Sequence, residues 1–162
     1  MQFGDNPWAF AKTRGVQRQT SALFASSVTI LGFASVQSAS EGGADYLFAS
    51  VLIASAGAIV VVVAQHQMGR AWRIGVRDGD APLFVDNGLF RISRNPVFVG
   101  MILMGLGIAL ATNSWWAWLA WLAFAASCHL QVRIEGRHLA ASFGQSYRDF
   151  QANVPRWIGF PR

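Results

Sequence analysis

Glu135 is the only acid between Asp86 and Asp149, and it stands just past an apolar run with Arg133 and Arg137 on either side. Forty residues earlier, Arg94-Asn95-Pro96 sits at the mouth of another apolar run, with Arg91 close by. Asparagine before proline is a strong helix start: Asn caps free N–H groups, and Pro is favoured at the first helical position. A helix start beside two arginines can hold an anion, because the unsatisfied N–H groups point outward there. The plain reading is that Arg91 and Arg94 reach lipid headgroups and that Glu135 pairs with Arg133 or Arg137. The chemical reading is a cradle with a cationic and an acidic end. His66, His129 and His138 have no metal-ligand spacing and are read first as packed or interfacial side chains; any of them can also take a proton from an amine. There is no Gly-x-Gly-x-x-Gly dinucleotide fingerprint.

The elements that carry these residues are apolar helices. Hydrophobic residues make up 53% of the chain and charged residues 13%, against roughly 25% charged in ordinary soluble domains. So few charges cannot cover a core of this size in water, whereas a bilayer needs no such cover. Residues 19–40, 46–64 and 95–132 carry no charge, the last interrupted only by Thr112-Asn113-Ser114. A spanning helix needs roughly 17–25 apolar residues, and bare backbone in hydrocarbon must bond within itself. The expected fold is therefore all-α and integral to the membrane, with four transmembrane helices at about 20–38, 46–64, 96–112 and 115–132. Ser50, Ala54 and Ala58 form a small-residue seam suited to close packing.

All lysines and arginines fall in three segments: Lys12 to Arg18, Arg70 to Arg94, and Arg133 to Arg162. Four helices put these segments on one side, which the positive-inside rule makes cytoplasmic together with both termini. The pI near 10.7 is read as orientation and attraction to anionic headgroups rather than nucleic-acid binding. A signal peptide at the N-terminus is the rival to the first helix; its long basic region favours a retained span. The lone Cys128 lies in a predicted span and excludes an intramolecular disulfide. The chain is one domain, 1–162, with helices 1–64 as scaffold and 65–162 as the functional half. Residues 65–95 read as an ordered cytoplasmic loop. A polar helix continues after 132 to end near Gly144, followed by a short amphipathic piece whose Tyr147, Phe150, Trp157 and Phe160 suit the headgroup layer.

The segment "GLFRISRNPVFVG" followed by "IEGRHLAASFGQSYRDFQANVPRW" resembles the isoprenylcysteine carboxyl methyltransferase family, which is related to the phospholipid methyltransferases. The family pattern is met at Gly88, Phe90, Arg94, Asn95, Pro96, Phe98 and Gly100, then at Glu135, Leu139, Phe143, Gly144, Tyr147, Phe150, Val154 and Arg156. "MGRAWRIGV" also looks like bacterial members, and the likeness covers roughly residues 65–160. It implies an S-adenosylmethionine pocket open to the cytoplasm, with a tunnel for a lipophilic substrate from the bilayer, in a cell inner membrane. It also implies cofactor contacts from Pro82, Leu83, Phe84, Val85, Phe90, Arg94, Asn95, Pro96, Val97, Phe98, Gly100 and Glu135. Glu135 and Arg133 are the catalytic candidates; Gln131, Arg133 and Tyr147 are the candidates for contacting the acceptor.

The sequence departs from the prenylcysteine enzymes at three places. Gln131 stands where they carry a substrate-binding arginine, Gly136 where many have a second acid, and Asn95 where others have histidine. The acceptor, whether carboxylate or amine, stays open. Sterol and steroid reductases resemble the same half and leave an NADPH-dependent reductase as the alternative, with a non-catalytic membrane scaffold as a third.

Overall fold

The structure is a computed structural model that describes residues 46–69 and 85–160, together with Ser26 and Thr29. The predicted first helix apart from Ser26 and Thr29, the basic leader, and residues 70–84 of the 65–95 loop, with Pro82, Leu83 and Phe84 among them, lie outside the described residues. Among those described, the chain is all-helical. Its helices are α1 (Leu47–Met68), α2 (Pro96–Thr112), α3 (Trp115–Phe143) and α4 (Gln145–Asn153), with a 3-10 turn at Gly88–Arg91 before α2.

The boundaries follow from local chemistry. Pro96 opens α2 at its first position, and Asn113 in the left-handed region closes it, its N–H donating to Ala109 O. Ser114 then precedes α3, so two residues make the reversal. Gly144 at φ +57 ends α3 where a residue with a Cβ would be strained. The polar stretch expected after residue 132 is thus the last part of a continuous α3. By contrast, α1 runs four residues past its expected end at 64 and takes Gln65, His66 and Gln67 out of the predicted loop.

α1 and α2 pack antiparallel through glycine. A Cβ on Gly57 would come within 2.6 Å of Gly100 O, and one on Gly107 within 2.6 Å of Ser50 O. The seam expected at Ser50, Ala54 and Ala58 is corrected in part: Ser50 and Ala54 both meet Gly107, but the stripe then continues through the buried Gly57 and Ala64 rather than Ala58. A seven-residue repeat keeps a stripe facing a crossing partner, whereas four-residue spacing drifts off it. Backbones this close maximise dispersion contact, the main attraction left between helices in lipid. α3 lies against α2 through Ala120, Phe124 and Cys128, with Phe98, Met101 and Ile102 packed on them, and Trp121 Nε1 donates to Ile102 O at 3.0 Å.

By length and composition, α1 is the one described helix able to cross a membrane; α2 is apolar but shorter. At 22 residues, α1 extends about 33 Å. Phe48, Val51, Leu52, Ile59, Val62 and Val63 are exposed on it. In α3, Leu119, Leu122, Ala126 and Leu130 make one exposed stripe that continues into exposed Arg133 and Arg137.

Candidate active site

The 3-10 turn is held before the Arg94-Asn95-Pro96 motif by the end of α1. Gln67 Oε1 accepts the Leu89 N–H at 2.8 Å. Gly88 makes that approach possible: it sits at φ +56, and a Cβ there would collide with the Gln67 amide group. Phe90 is buried and its N–H donates to Asn87 O at 3.0 Å. Ser93, also buried, accepts the Asn95 N–H on its Oγ at 3.1 Å.

The motif is then pinned by the chain's last described residues. The Arg94 N–H donates to Pro155 O at 3.0 Å, and the Gly159 N–H donates to Ile92 O at 3.1 Å. Asn95 Nδ2 donates to Arg156 O at 2.9 Å. The expected side-chain cap is therefore corrected: Asn95 makes no capping hydrogen bond to α2. Its amide is turned away from the helix because the tail carbonyl competes for it, while its own backbone carbonyl accepts the Val99 N–H. Trp157 fixes the tail sideways by stacking on His129 of α3, ring centroids 6.0 Å apart.

Across the site, α3 presents Ser127, Cys128, Gln131 and then the half-buried Glu135 on its inner face. Gln131 Nε2 donates to Glu135 Oε1 at 3.0 Å. Glu135 lies past the apolar stretch, and burial pushes its carboxyl up to about 7, against the smaller opposing effect of the Gln131 hydrogen bond. Tyr147 of α4 is 4% exposed, which corrects its placement in the headgroup layer. Its hydroxyl meets the side chains of Arg94 and Gln151 and feels the charge of Glu135. Burial raises its pKa, and the Arg94 guanidinium pulls it the other way. Tyr147 therefore links the motif before α2 to the acid of α3.

The inner site thus gathers Arg94, Asn95, Gln131, Glu135 and Tyr147. Pro96 and Gly100 are buried at the start of α2, but Gly100 is taken up by the contact with Gly57 and Val61. Val97 and Phe98 are half-buried, and Phe98 packs toward Phe124. Val85 is half-buried at the edge of the described region. Arg133 is exposed and lies on the face of α3 opposite Glu135. Gln67, Ser93, His129, Gln151 and Trp157 complete the framework without having been singled out for these roles. Gln67, His129 and Trp157 leave no signal in the sequence because each acts through a partner far along the chain, whereas Ser93 and Gln151 act on Asn95 and Tyr147 close by.

The arrangement can hold a small molecule that bears both charges. Arg94 Nε is buried with no hydrogen-bond partner among the described residues, a donor that suits an anionic group. Glu135 supplies the opposite sign. No group of three or more metal-ligating side chains occurs among the described residues.

No curated protein and no solved structure matches the chain. The family model for phospholipid methyltransferases matches residues 44–146, which contain α1, α2, α3 and most of the site. That match and the apolar α1 describe a membrane-associated methyltransferase. The chain belongs to the phospholipid methyltransferase family.

Proposed function

We propose that this protein transfers a methyl group from S-adenosylmethionine to a lipophilic small molecule or lipid-linked carboxylate or amine reached from the bilayer. The observation that carries the reading is that Tyr147, whose hydroxyl meets the Arg94 side chain, also feels the charge of Glu135, so that a cation and an acid face one region of the bundle. When bound, S-adenosylmethionine supplies an electrophilic methyl on a sulfonium. Arg94 and the free N–H groups opening α2 suit its carboxylate, and Glu135 suits its ammonium. The unpartnered Arg94 Nε supports that fit, since a buried donor without an acceptor is costly unless something binds it.

The residues then have little bond chemistry to perform. Gln131 orients the Glu135 carboxylate, and the packed tail keeps Arg94 and Asn95 in place. Held geometry of this kind is worth several kcal/mol in group transfer. In this reading the apolar part of α3, α2, α1 and the predicted helix at 20–38 cross the inner membrane, with both termini and the site on the cytoplasmic side.

Calorimetry on the purified full chain in detergent tests the cofactor. Saturable binding of S-adenosylmethionine, weakened by Glu135→Gln, is expected. Folded protein that bound NADPH and not S-adenosylmethionine would reverse the assignment. A tritiated-methyl assay with membrane extract then identifies the acceptor by the fraction that becomes labelled.

A further inference from the structure

The tail that pins Arg94 and Asn95 has an outer face that no described residue covers. Ile158 is 68% exposed and Phe160 91%, and Ile92 beside them is 43% exposed. At this end of the bundle Arg91, Arg133, Arg137, Arg148 and Arg156 are all exposed, against two exposed described acids, Asp86 and Asp149. We propose that this face is a docking surface for an anionic lipid surface, and that docking steadies the Arg94–Asn95 turn.

Position and charge both favour lipid. Trp157 stacks on His129, near the end of the apolar stretch of α3, so the tail lies at the level where hydrocarbon gives way to headgroups. The exposed stripe of α3 runs from Leu119, Leu122 and Leu130 into Arg133 and Arg137 at the same level, apolar below and basic above. Apolar side chains among arginines bind an anionic interface through both burial and charge. A second copy of a chain with net charge +5 would bring like charges together on this face. Because the Pro155 and Arg156 carbonyls accept from Arg94 and Asn95, and Gly159 donates to Ile92, anything that immobilises the tail immobilises the motif.

The test uses the full chain in nanodiscs of phosphatidylcholine alone or with phosphatidylglycerol added. A polarity-sensitive dye is placed on Phe160→Cys; Cys128 is buried and is the chain's one native thiol. The dye should shift to shorter wavelength in anionic discs and return in high salt. Arg148→Gln with Arg156→Gln should remove most of the difference. A dye that stays in water in both discs overturns the surface, and so does a shift that follows protein concentration in detergent, which would assign the face to a second copy. The steadying effect rests on the cofactor reading and has its own readout. S-adenosylmethionine should bind roughly fivefold tighter in anionic discs, the worth of about one arginine–headgroup contact, and Ile158→Ser with Phe160→Ser should abolish the gain. Equal affinity in both discs, with the dye shifted, overturns the coupling. No donor binding in any disc sinks the cofactor reading and leaves the surface to be decided by the dye alone.

Discussion

Gln131 donates its side-chain amide to Glu135 one helical turn later, at 3.0 Å, and so gives the acid of the site a neutral partner. A cation there would neutralise the carboxylate; an amide orients it and leaves its charge for a ligand. Glu135→Gln should therefore weaken S-adenosylmethionine binding by roughly 10–100-fold, the worth of a hydrogen bond to a charged group. Gln131→Leu should weaken it less. Calorimetry on variants with unchanged melting temperature measures both, and equal affinity in Glu135→Gln would remove the acid from the cofactor site.

The same carboxyl predicts a pH dependence with a definite sign. Burial raises its folded pKa to about 7 from the ordinary carboxyl value of 4.5. The folded chain then holds a proton that the unfolded chain has lost, so this group's contribution to stability falls as pH rises from about 4.5 to about 7. Glu135→Gln should flatten that part of the melting curve. Donor binding should run the other way, strengthening as the pH rises through 7 and the carboxylate forms. A donor affinity constant from pH 5.5 to 8 would contradict the role given to this acid.

Gly57 and Gly100 face each other so closely that a Cβ on either meets backbone of the other helix at 2.6 Å. Backbone cannot swing aside as a side chain can. Gly57→Ala or Gly100→Ala should cost about 1–3 kcal/mol or more through overpacking, seen as a lower melting temperature and less monodisperse protein in detergent. Ala58→Val, on a half-buried position off the seam, should come close to wild type.

These contacts mark how far the sequence could be read. The ends of α2 were legible because Asn-Pro and Thr-Asn-Ser are local signals, and Gly144 was legible as a stop for α3. Glu135 and Arg94 stood out through isolation and spacing. The seam was read through Ser50 and Ala54 but not into Gly57, because Ala58 is also small and regular, and only the path of α2 decides which stripe is covered. The inward Tyr147 and the outward Phe160 look alike in an amphipathic stretch. Their difference comes from Arg94 and Gln151 meeting one hydroxyl.

Gly88 and Gln67 offer a separable pair of effects. Gly88→Ala strains a backbone at φ +56 and drives a methyl group into the Gln67 amide. The left-handed backbone alone costs roughly 1–2 kcal/mol. Gln67→Ala removes the obstacle and also the acceptor for Leu89 N–H. In a double-mutant cycle, Gly88→Ala should then be markedly less harmful on the Gln67→Ala background than on wild type, with stability read by thermal melting. Additive losses would mean that the amide and the turn do not touch.

Asn95 separates capping from tail-holding. As a cap it would accept from the α2 backbone, and aspartate would serve as well or better. In the structure it donates, through Nδ2, to the Arg156 carbonyl at 2.9 Å. Asn95→Asp replaces that donor with an anion facing a carbonyl oxygen, while improving the nominal cap and the match to the helix dipole. It should therefore weaken S-adenosylmethionine binding by up to roughly tenfold, as a lost hydrogen bond costs about 0.5–1.5 kcal/mol. Asn95→His keeps a ring N–H that can donate and should fall between Asp and wild type. Aspartate binding the donor as well as asparagine would return this residue to the role of a helix cap and detach the tail from the site.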